Sequence, residues 1–539
     1  MTSMQQKTQG AEDVEQFDAI IIGAGVTGLY ALYRMRQLGF SARSFEEGSG
    51  VGGTWYWNRY PGCRFDSESY TYGYSFSEEL LQEWDWKEHY SAQPENERYL
   101  NYVADKFDLR RDIRLNSRVM SAVFDENENR WEVVMEDGHR ARGQFLITSV
   151  GILSAGYVPD FEGKDAFKGI SCHTGRWPKE GVDLAGKRVG VIGTGASGVQ
   201  LITEIAREVS HLTVFQRTAN FCAPLRNSLI DDEAQKEIKA SYPEIFRKCM
   251  ETAGSFVHEF DPRSAMSVSP EERLEKYESL WQESGFKKWL SNFYDVMLPG
   301  EANEDYADFF RNKIRERVHD PVVAEMLVPK GHMFGSKRLP CESGYYEVYN
   351  QDNVLLVDVK AAPIERITPN GIKTQNAEYD LDVIIFATGF DAVTGSLSRL
   401  HIEGEGGQTL NDKFANGPRT FMGVQSAGFP NLFTINQASV GNFVRAAEPL
   451  VDWVSDAMAY VRDNDFLRIS PSAEAEENWT KHVAEAGAKI LRSQADSWYV
   501  GANIPGKARG LLTAPDTAPV MRAKRNEVAA KGYEGFVIK

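Results

Sequence analysis

Residues 17–47 read FDAIIIGAGVTGLYALYRMRQLGFSARSFEE, and this stretch decides the fold. An apolar run at residues 19–22 leads into Gly23, Gly25 and Gly28, and apolar residues then recur with the spacing of a helix. The order strand, tight glycine turn, helix is typical of a dinucleotide-binding unit. Gly23 permits the turn, Gly25 lets the backbone approach a pyrophosphate, and Gly28 lets the helix pack on the strand. The helix N-terminus then faces the phosphates with its partial positive charge.

An acidic residue follows the first glycine turn at the distance expected for ribose binding. Glu46 lies about twenty residues beyond the glycines, at the end of a second apolar stretch. A carboxylate at that place accepts hydrogen bonds from both ribose hydroxyls, which favours an adenosine without a 2′-phosphate. The competing interpretation is a glycine turn that serves packing alone, but strand, glycines, helix and acid together favour the dinucleotide.

A second unit of the same kind begins in mid-chain, where residues 187–220 read KRVGVIGTGASGVQLITEIAREVSHLTVFQRTAN. Its predicted turn contains Gly193, Thr194, Gly195, Ser197 and Gly198. The second strand of this unit ends in Gln216-Arg217-Thr218 and not in an acid. A guanidinium at that place matches phosphate oxygens bidentately, so the pattern favours NADP over NAD. A solvated charge at a strand end is the alternative for Arg217.

One dinucleotide held by an acid and another held by an arginine is the arrangement expected of FAD plus NADPH, so the pair predicts a flavoenzyme. The predicted fold class is α/β, with two Rossmann-like dinucleotide-binding domains and a helical insertion. The strand-like run at residues 381–390 is interpreted as returning the chain to the first domain. The predicted division is a flexible tail at 1–16, an FAD-binding domain at 17–155 and 384–539, an NADP-binding domain at 156–224 and 329–383, and a helical insertion at 225–328.

Composition limits the remaining classes of function. The chain has 539 residues, which suggests about three domain-sized units, and it carries 60 basic against 77 acidic residues, a net charge of −17. No dense run of Lys or Arg marks a nucleic-acid or lipid surface, and no stretch reaches the ~20 apolar residues of a membrane span. We therefore expect a cytoplasmic protein without a nucleic-acid or membrane partner. These patterns do not encode an oligomeric state.

The cysteines bear on the route that electrons take. The five cysteines are scattered, with no CxxC pair and no Cys/His spacing suited to zinc: Cys63, Cys172, Cys222, Cys249 and Cys341. Neither a disulfide framework nor a metal site is predicted. A flavoprotein with two dinucleotide sites passes electrons to a dithiol, to another redox centre or to oxygen, and the first two routes have no residues here. Oxygen is the expected acceptor.

Two further motifs carry a family resemblance. The first, FKGISCHTGRWP at residues 167–178, is called the histidine fingerprint below and contains Phe167, Gly169, His173, Trp177 and Pro178. The second, GTWYWNRYPGCRFD at residues 53–66, is called the tryptophan motif and contains Gly53, Thr54, Trp55 and Asp66. Both resemble the patterns of Baeyer-Villiger monooxygenases, flavoenzymes that insert an oxygen atom beside a carbonyl, and the group of phenylacetone and cyclohexanone monooxygenases is most similar. The resemblance runs from about residue 17 to about residue 435, resumes at DSWYVGANIPGK (496–507) and includes the C-terminal KGYEGFVIK.

The resemblance implies a mechanism. Arg338, in PKGHMFGSKRL (329–339), is the expected active-site arginine, which stabilises a deprotonated peroxyflavin that attacks a ketone and yields an ester or lactone. Asp66 is expected to pair with Arg338 and to tune its position. The histidine fingerprint is expected to link the two domains and not to transfer protons. A solvated basic pair is the alternative for Lys337 and Arg338.

The resemblance also assigns residues that bind NADP. Lys337 is expected to join Arg217 and Thr218 around the 2′-phosphate, and Trp498 is expected to lie on a loop that folds over the nicotinamide. A core position is the alternative for Trp498.

The chain departs from the family pattern in two places. Residues 436–453 read NQASVGNFVRAAEPLVDW and lack the Gly-Pro loop expected to shape the substrate pocket. Residues 510–529 carry Pro515 and Pro519, which disfavour a continuous strand or helix there. These changes leave three alternatives to ketone oxidation: oxidation of sulfur or nitrogen atoms, an uncoupled NADPH oxidase, and a dinucleotide-sensing protein. The sequence does not select among linear, cyclic and aromatic ketones.

Overall fold

The computed structural model describes residues 14–435 and 441–539 of the chain. Residues 1–13, most of the predicted tail, and residues 436–440, within the first departure from the family pattern, lie outside the described residues. The predicted boundary of the tail at residue 16 is wrong by two positions. Glu15 and Gln16 belong to the first strand, because they pair with Ala141 and Arg142.

Twenty strands occur in the described part of the chain. In chain order they are β1 (Glu15–Ile22), β2 (Ala42–Phe45), β3 (Ile113–Arg114), β4 (Val119–Asp125), β5 (Arg130–Met135), β6 (Arg140–Thr148), β7 (Ile170–His173), β8 (Arg188–Ile192), β9 (His211–Gln216), β10 (Ala223–Pro224), β11 (Cys341–Glu342), β12 (Val354–Asp358), β13 (Ile364–Thr368), β14 (Gly371–Thr374), β15 (Glu378–Asp380), β16 (Val383–Phe386), β17 (His401–Glu403), β18 (Leu432–Thr434), β19 (Ile469–Pro471) and β20 (Phe536–Ile538).

Sixteen α-helices occur in the same residues. They are α1 (Val26–Gln37), α2 (Thr54–Trp57), α3 (Ser69–Tyr72), α4 (Glu78–Glu83), α5 (Gln93–Lys106), α6 (Ala196–Ile205), α7 (Asp232–Glu251), α8 (Pro270–Gln282), α9 (Lys287–Leu290), α10 (Glu301–Arg317), α11 (Pro321–Leu327), α12 (Gly395–Ser398), α13 (Leu410–Lys413), α14 (Phe443–Asp463), α15 (Ala473–Gly487) and α16 (Ala518–Ala530). None of the helices within residues 14–435 and 441–539 combines the length and the apolar character that a membrane crossing requires.

The first sheet has eight strands and holds the first glycine turn. Its order is β17-β4-β5-β6-β1-β2-β3, and β18 also pairs with β6. β1 lies between β6 and β2, runs parallel to both, and is buried at residues 19–22. The turn lies between the end of β1 and the start of α1, at the carboxyl edge of the parallel strands, where open α/β sheets bind their ligands.

The second sheet is parallel throughout and holds the second glycine turn between β8 and α6. Its order is β12-β9-β8-β16-β7. The expectation that β16 returns the chain to the first sheet is wrong, because its buried residues 383–386 pair with β8 on one side and β7 on the other. The two glycine-turn sheets confirm the predicted fold class, and the rest of the domain division stays a prediction.

The chain between β10 and β11 is largely helical and contains α7 to α11. α8 begins after an N-terminal cap, because the Ser269 side chain accepts a hydrogen bond from the backbone N–H of Glu272 at 3.2 Å. Pro270 occupies the first turn of α8, where no backbone hydrogen bond is lost.

The C-terminal departure from the family pattern is partly helical, contrary to expectation. α16 begins at Ala518, and Pro519 lies in its first turn, where a proline is tolerated. Only the part that contains Pro515 lacks a helix or strand. β19 and β20 then pair and attach the last residues of the chain.

Candidate active site

Both glycine turns line one cavity of about 1370 Å³. The predicted site residues in its wall are Gly23, Gly25, Glu46, Gly53, Thr54, Trp55, Asp66, Gly193, Thr194, Gly195, Ser197, Arg217, Thr218, Lys337, Arg338 and Trp498. Gly28 and Gly198 pack inside the turns, and the named residues of the histidine fingerprint lie outside the wall. Most of the predicted residues are therefore brought together in one continuous site.

The first glycine turn has no room for side chains. Gly23 has a φ of +103°, and a Cβ on Gly28 would lie 1.9 Å from the carbonyl oxygen of Gly23. Gly53 of the tryptophan motif packs against Gly25, and a Cβ on Gly53 would lie 2.8 Å from the Cα of Gly25. The bare backbone at the start of α1 fits the pyrophosphate of a dinucleotide.

Glu46 directly follows β2, and its side chain accepts a hydrogen bond from the first glycine turn. Its Oε2 accepts from the backbone N–H of Ala24 at 2.8 Å, and its Oε1 accepts from that of Gly48 at 2.7 Å. Burial raises the pKa of Glu46, and the two backbone donors oppose the rise. Each carboxylate oxygen can accept a further hydrogen bond, which fits the hydroxyls of a ribose.

The second glycine turn repeats this packing with one difference. A Cβ on Gly198 would lie 2.3 Å from the carbonyl oxygen of Gly193, but a Cβ on Gly195 would meet no atom within 4 Å. Packing therefore explains Gly198 and does not explain Gly195. Gly195 lines the cavity, so its bare backbone fits the close approach of a ligand.

Two cations lie together beyond the second turn. Arg217 is exposed directly after β9, and the partly buried Lys337 lines the same cavity. Burial lowers the pKa of Lys337, and the positive charge of Arg217 lowers it further. Across the described residues, no carboxylate lies within ion-pairing distance of either cation. Two neighbouring cations of this kind fit a phosphate group.

Arg338 and Asp66 form a salt bridge in the cavity wall. Arg338 Nη1 donates to Asp66 Oδ2 at 2.7 Å, and the Asp66 side chain is 2% exposed against 29% for Arg338. Burial acts to lower the pKa of Arg338, but Asp66, with smaller effects of Cys341 and Tyr499, outweighs burial, and the pKa is raised. The segment is held by the pairing of β11 with β10, and Asn220 Nδ2 donates to the carbonyl oxygen of Arg338 at 3.1 Å. A fixed, permanent cation thus faces the cavity.

Gln200 is a site residue that the sequence motifs do not reveal. It lies on α6 and lines the cavity. Its Nε2 donates to Asp66 Oδ1 at 2.9 Å and to the carbonyl oxygen of Arg64 at 3.2 Å, while its Oε1 accepts from the Tyr60 hydroxyl at 2.8 Å. The helix of the second glycine turn is thereby tied to the tryptophan motif. A polar residue soon after Gly198 is the sole signal that the sequence offers.

His173 stabilises the place where the chain crosses between the two sheets. Residues 155–157 pair with residues 389–391 in the crossing segments. His173 Nε2 donates to the carbonyl oxygen of Gly389 at 3.0 Å, and the backbone N–H of Gly175 donates to His173 Nδ1 at 2.9 Å. Burial lowers the pKa of His173 to about 4, so the ring is neutral at ordinary pH.

The two motifs contact each other through Arg176, which sequence reasoning did not single out. Its guanidinium carbon lies 3.8 Å from the centre of the Trp57 ring of the tryptophan motif. Arg176 Nη2 also donates to Glu47 Oε2 at 3.1 Å. All three residues line the cavity, so the histidine fingerprint reaches the site through Arg176.

Trp498 lies in a segment that docks on the same crossing. The Trp498 ring lies 4.0 Å from the ring of Tyr499, and both residues line the cavity. Asn503 Nδ2 donates to the carbonyl oxygen of Phe390 at 2.8 Å, and Lys507 forms a salt bridge with Asp391. The segment thus covers one side of the cavity through these polar contacts and through the packing of Trp498 against the apolar cluster of Ala392, Val393 and Leu512.

Comparison with known proteins places this geometry in a family. A family model described as flavin-binding monooxygenase-like matches residues 18–224. The 2-oxo-Δ3-4,5,5-trimethylcyclopentenylacetyl-CoA monooxygenase of Pseudomonas putida is 45% identical over 532 residues, 96% of this chain and 98% of that protein. A Baeyer-Villiger monooxygenase of Pseudooceanicola batsensis is 43% identical over 536 residues, 98% of this chain and 97% of that protein.

A solved structure agrees with these relatives. The crystal structure of OTEMO in complex with FAD and NADP is 45% identical in sequence, with a TM-score of 0.94 over 98% of this chain and 100% of that chain. Identity at this level over nearly the whole length confirms the resemblance that the two motifs predict. The chain belongs to the Baeyer-Villiger monooxygenase family of flavin-dependent monooxygenases.

Proposed function

We propose that this protein is an FAD- and NADPH-dependent monooxygenase that uses O2 to convert ketones into esters or lactones. FAD binds at the first glycine turn and NADPH at the second. The bound flavin supplies the redox chemistry between NADPH and oxygen, and the chain supplies binding, orientation and electrostatics. The observation that carries the proposal is the Arg338 guanidinium, which Asp66 holds in the wall of a cavity shared by both turns.

Arg338 places positive charge where oxygen transfer to a carbonyl develops negative charge. A guanidinium does not give up its proton at a working pH, so it can stabilise an anion without neutralising it. Asp66 divides its two oxygens between Arg338 and Gln200 and therefore fixes the direction of the guanidinium. Such prior orientation lets the charge act without reorganisation during the reaction.

The NADPH site is proposed from the two cations beyond the second turn. Arg217 and Lys337 bind the 2′-phosphate, and the neighbouring Thr218 hydroxyl adds a donor. The like charge of Arg217 and Lys337 raises the free energy of the empty site, and an anion between them relieves that cost.

The segment that contains Trp498 excludes water from the site, and the crossing segments at residues 155–157 and 389–391 keep the two sheets aligned. Trp498 shields the nicotinamide side of the cavity, where water exclusion strengthens the field of Arg338. The neutral His173 ring links the crossing segments and transfers no proton. A cytoplasmic location and the absence of nucleic-acid and membrane partners stay predictions.

The test is product analysis of the purified FAD-bound protein with NADPH, O2 and a panel of linear, cyclic and aromatic ketones. We expect ester or lactone in proportion to the NADPH consumed, with at least one ketone class accepted. A second panel of sulfides and tertiary amines distinguishes the alternatives. Sulfoxide or N-oxide without any ester would assign soft-atom oxidation instead.

Two further outcomes would also contradict the proposal. Peroxide release that ignores every ketone would identify an uncoupled oxidase. Binding of NADPH without its oxidation would favour a dinucleotide sensor.

A further inference from the structure

A second carboxylate lies on the turn that carries Asp66. Glu68 Oε1 lies 3.0 Å from His258 Nε2, and the two side chains are 6% and 3% exposed. His258 belongs to the helical region between β10 and β11, so the pair connects that region to the tryptophan motif. Among the described residues, neither Glu68 Oε2 nor His258 Nε2 has a hydrogen-bond partner, so the 3.0 Å contact between Glu68 and His258 is electrostatic. His258 is therefore the main compensation for a buried negative charge.

The charge state of Glu68 agrees with this contact. Burial acts to raise the pKa of Glu68, but His258, together with hydrogen bonds from the backbone and from Tyr90, outweighs burial, and the pKa is lowered. A buried carboxylate that loses its partner is left as an uncompensated charge, which is strongly destabilising. The turn from Asp66 to Glu68 is thus anchored at both ends, by Arg338 and by His258.

Tyr90 connects the Glu68–His258 contact to the segment that packs on the other side of Arg338 from Asp66. The Tyr90 hydroxyl donates to Ser284 Oγ at 2.9 Å and lies 3.4 Å from Glu68 Oε1. Ser284 precedes Phe286 by two positions, and the Phe286 ring lies 5.1 Å from the guanidinium carbon of Arg338. The hydroxyl therefore connects the carboxylate of Glu68 to the segment that contains Ser284 and Phe286, and Phe286 packs against Arg338.

His258 is also connected to Phe286 through Phe256. Phe256 precedes His258 by two positions, and its ring meets the Phe286 ring edge-on at 5.5 Å. The contacts form a closed circuit from Arg338 to Asp66, Glu68, His258, Phe256, Phe286 and back to Arg338. A closed circuit resists rotation of the guanidinium more than the single salt bridge to Asp66 would.

We propose that Glu68 and His258 are positioning residues, whose buried contact fixes the turn that carries Asp66 and thereby aims Arg338. The inference rests on the proposed role of Arg338. Neither residue lines the cavity, so both act through Asp66 and Phe286 and not on the substrate. The competing reading is a buried ion pair that only attaches the helical region to the first sheet.

The test compares Glu68→Gln, His258→Gln and the double variant in the FAD-bound protein. Glutamine keeps the size of glutamate, so the first substitution removes charge without opening a cavity. We expect each single variant to lower kcat for ester formation about tenfold and to raise the peroxide released per NADPH, with KM for NADPH changed by less than about twofold. The double variant should be no worse than the single variants, because one pair is lost in all three.

A measurement without turnover gives an independent check. The urea midpoint of unfolding is measured for the same variants, and the shift of the double variant should be smaller than the sum of the two single shifts. Additive shifts would show that the two side chains do not interact, and the proposal would fall.

Glu476→Gln is the matched control. Glu476 is a 3% exposed carboxylate whose Oε2 lies 2.8 Å from Lys413 Nζ, and it is outside the cavity wall. We expect Glu476→Gln to lower the urea midpoint while kcat and peroxide yield stay at wild-type values. The same pattern in Glu68→Gln would mean that the Glu68–His258 pair only stabilises the fold, which would overturn the proposal.

Tyr90→Phe keeps the proposal testable if Glu68→Gln does not fold. It removes only the hydroxyl between Glu68 and Ser284, and we expect the peroxide yield to rise in the same direction by a smaller factor. An unchanged peroxide yield would show that the contacts of Glu68 do not influence Arg338, and it would count against the proposal. Ester formation at the wild-type rate in Arg338→Ala would instead defeat the proposed role of Arg338, and a wild type that forms no ester from any ketone would defeat the proposed function, whatever the outcome at Glu68.

Discussion

Arg338 Nη1 lies 2.7 Å from Asp66 Oδ2 although 272 positions of sequence separate the two residues. The aspartate is buried and the arginine reaches the cavity, so one partner fixes the direction and the other presents the charge. This division predicts different consequences when each residue is changed.

Arg338→Ala removes the charge itself. We expect ester formation to fall by about 10²–10³-fold, as when one donor of an oxyanion site is lost, while FAD stays bound and NADPH is still consumed. Arg338→Lys keeps the charge but loses the planar fork that meets Asp66, so we expect only partial recovery. Product and peroxide are measured against NADPH consumed, and ester formed by Arg338→Ala at the wild-type rate would refute the assignment.

Gln200→Leu leaves the charges of Asp66 and Arg338 in place but removes a hydrogen bond that orients Asp66. Asp66 Oδ1 and the Tyr60 hydroxyl each lose a partner, so we expect kcat to fall about tenfold with FAD content unchanged. Thr203→Ala is the control on the same helix, because within the described part of the chain the Thr203 hydroxyl donates only to the carbonyl oxygen of Val199. Equal effects of the two substitutions on kcat would mean that Gln200 acts through the stability of α6 alone.

Arg217→Ala and Lys337→Ala test the choice of cofactor. Each removes a charge-assisted hydrogen bond of about 1.5–3 kcal/mol to the 2′-phosphate, so the preference for NADPH over NADH should fall about ten- to a hundredfold in each variant. The kcat/KM with NADH, which has no 2′-phosphate, serves as the internal control and should hardly change. A loss of activity that is equal for both cofactors would argue against phosphate recognition at this place.

Gly195→Ala and Gly28→Ala separate ligand contact from packing. A Cβ at Gly28 meets the carbonyl oxygen of Gly23 at 1.9 Å, so we expect that variant to lose FAD and stability. A Cβ at Gly195 meets no atom within 4 Å, so Gly195→Ala should keep the wild-type melting temperature and FAD content. Its KM for NADPH should nevertheless rise by about tenfold, because the added carbon occupies the space of the ligand. An unchanged KM would show that no dinucleotide approaches Gly195.

The glycine turns, Glu46 and Arg217 were predictable because each motif is contiguous in sequence. Strand, turn, helix and second strand follow one another, so local spacing alone places these residues at one edge of a sheet. Arg338 and Asp66 could not be joined by spacing, and their pairing was expected only from a family resemblance. The structure shows the contact, and their catalytic role stays a proposal.

Contacts that depend on tertiary packing were not predictable. The buried run of β16 suits either sheet equally well, and only its pairing with β7 and β8 decides between them. Gln200 and Arg176 are ordinary polar residues in the sequence and acquire partners only when α6 and the histidine fingerprint pack against the tryptophan motif. Sequence reasoning thus identified the residues that are proposed to contact the dinucleotides, and it missed Gln200 and Arg176, which connect the elements that carry those residues.

The lowered pKa of His173 predicts how the free energy of unfolding depends on pH. The His173 ring is neutral in the folded protein down to a pKa of about 4, whereas an unfolded histidine titrates near its usual value of about 6.5. Between these values only the unfolded chain binds the proton, so the free energy of unfolding falls as pH falls. The loss from this residue should reach about 2 kcal/mol between about pH 7.5 and about pH 5.

His173→Gln removes this titration and tests its size. The variant should be less stable than the wild type near neutral pH, because the hydrogen bonds to Gly389 and Gly175 are disturbed, and its stability should decline less steeply with acid. Urea unfolding at several pH values measures both slopes. His332, whose pKa burial also lowers to about 4, contributes a second proton in both proteins and therefore cancels in the comparison. Equal slopes would mean that the His173 ring titrates normally, and a ring that gains and loses protons near neutral pH could no longer be assigned a purely linking role.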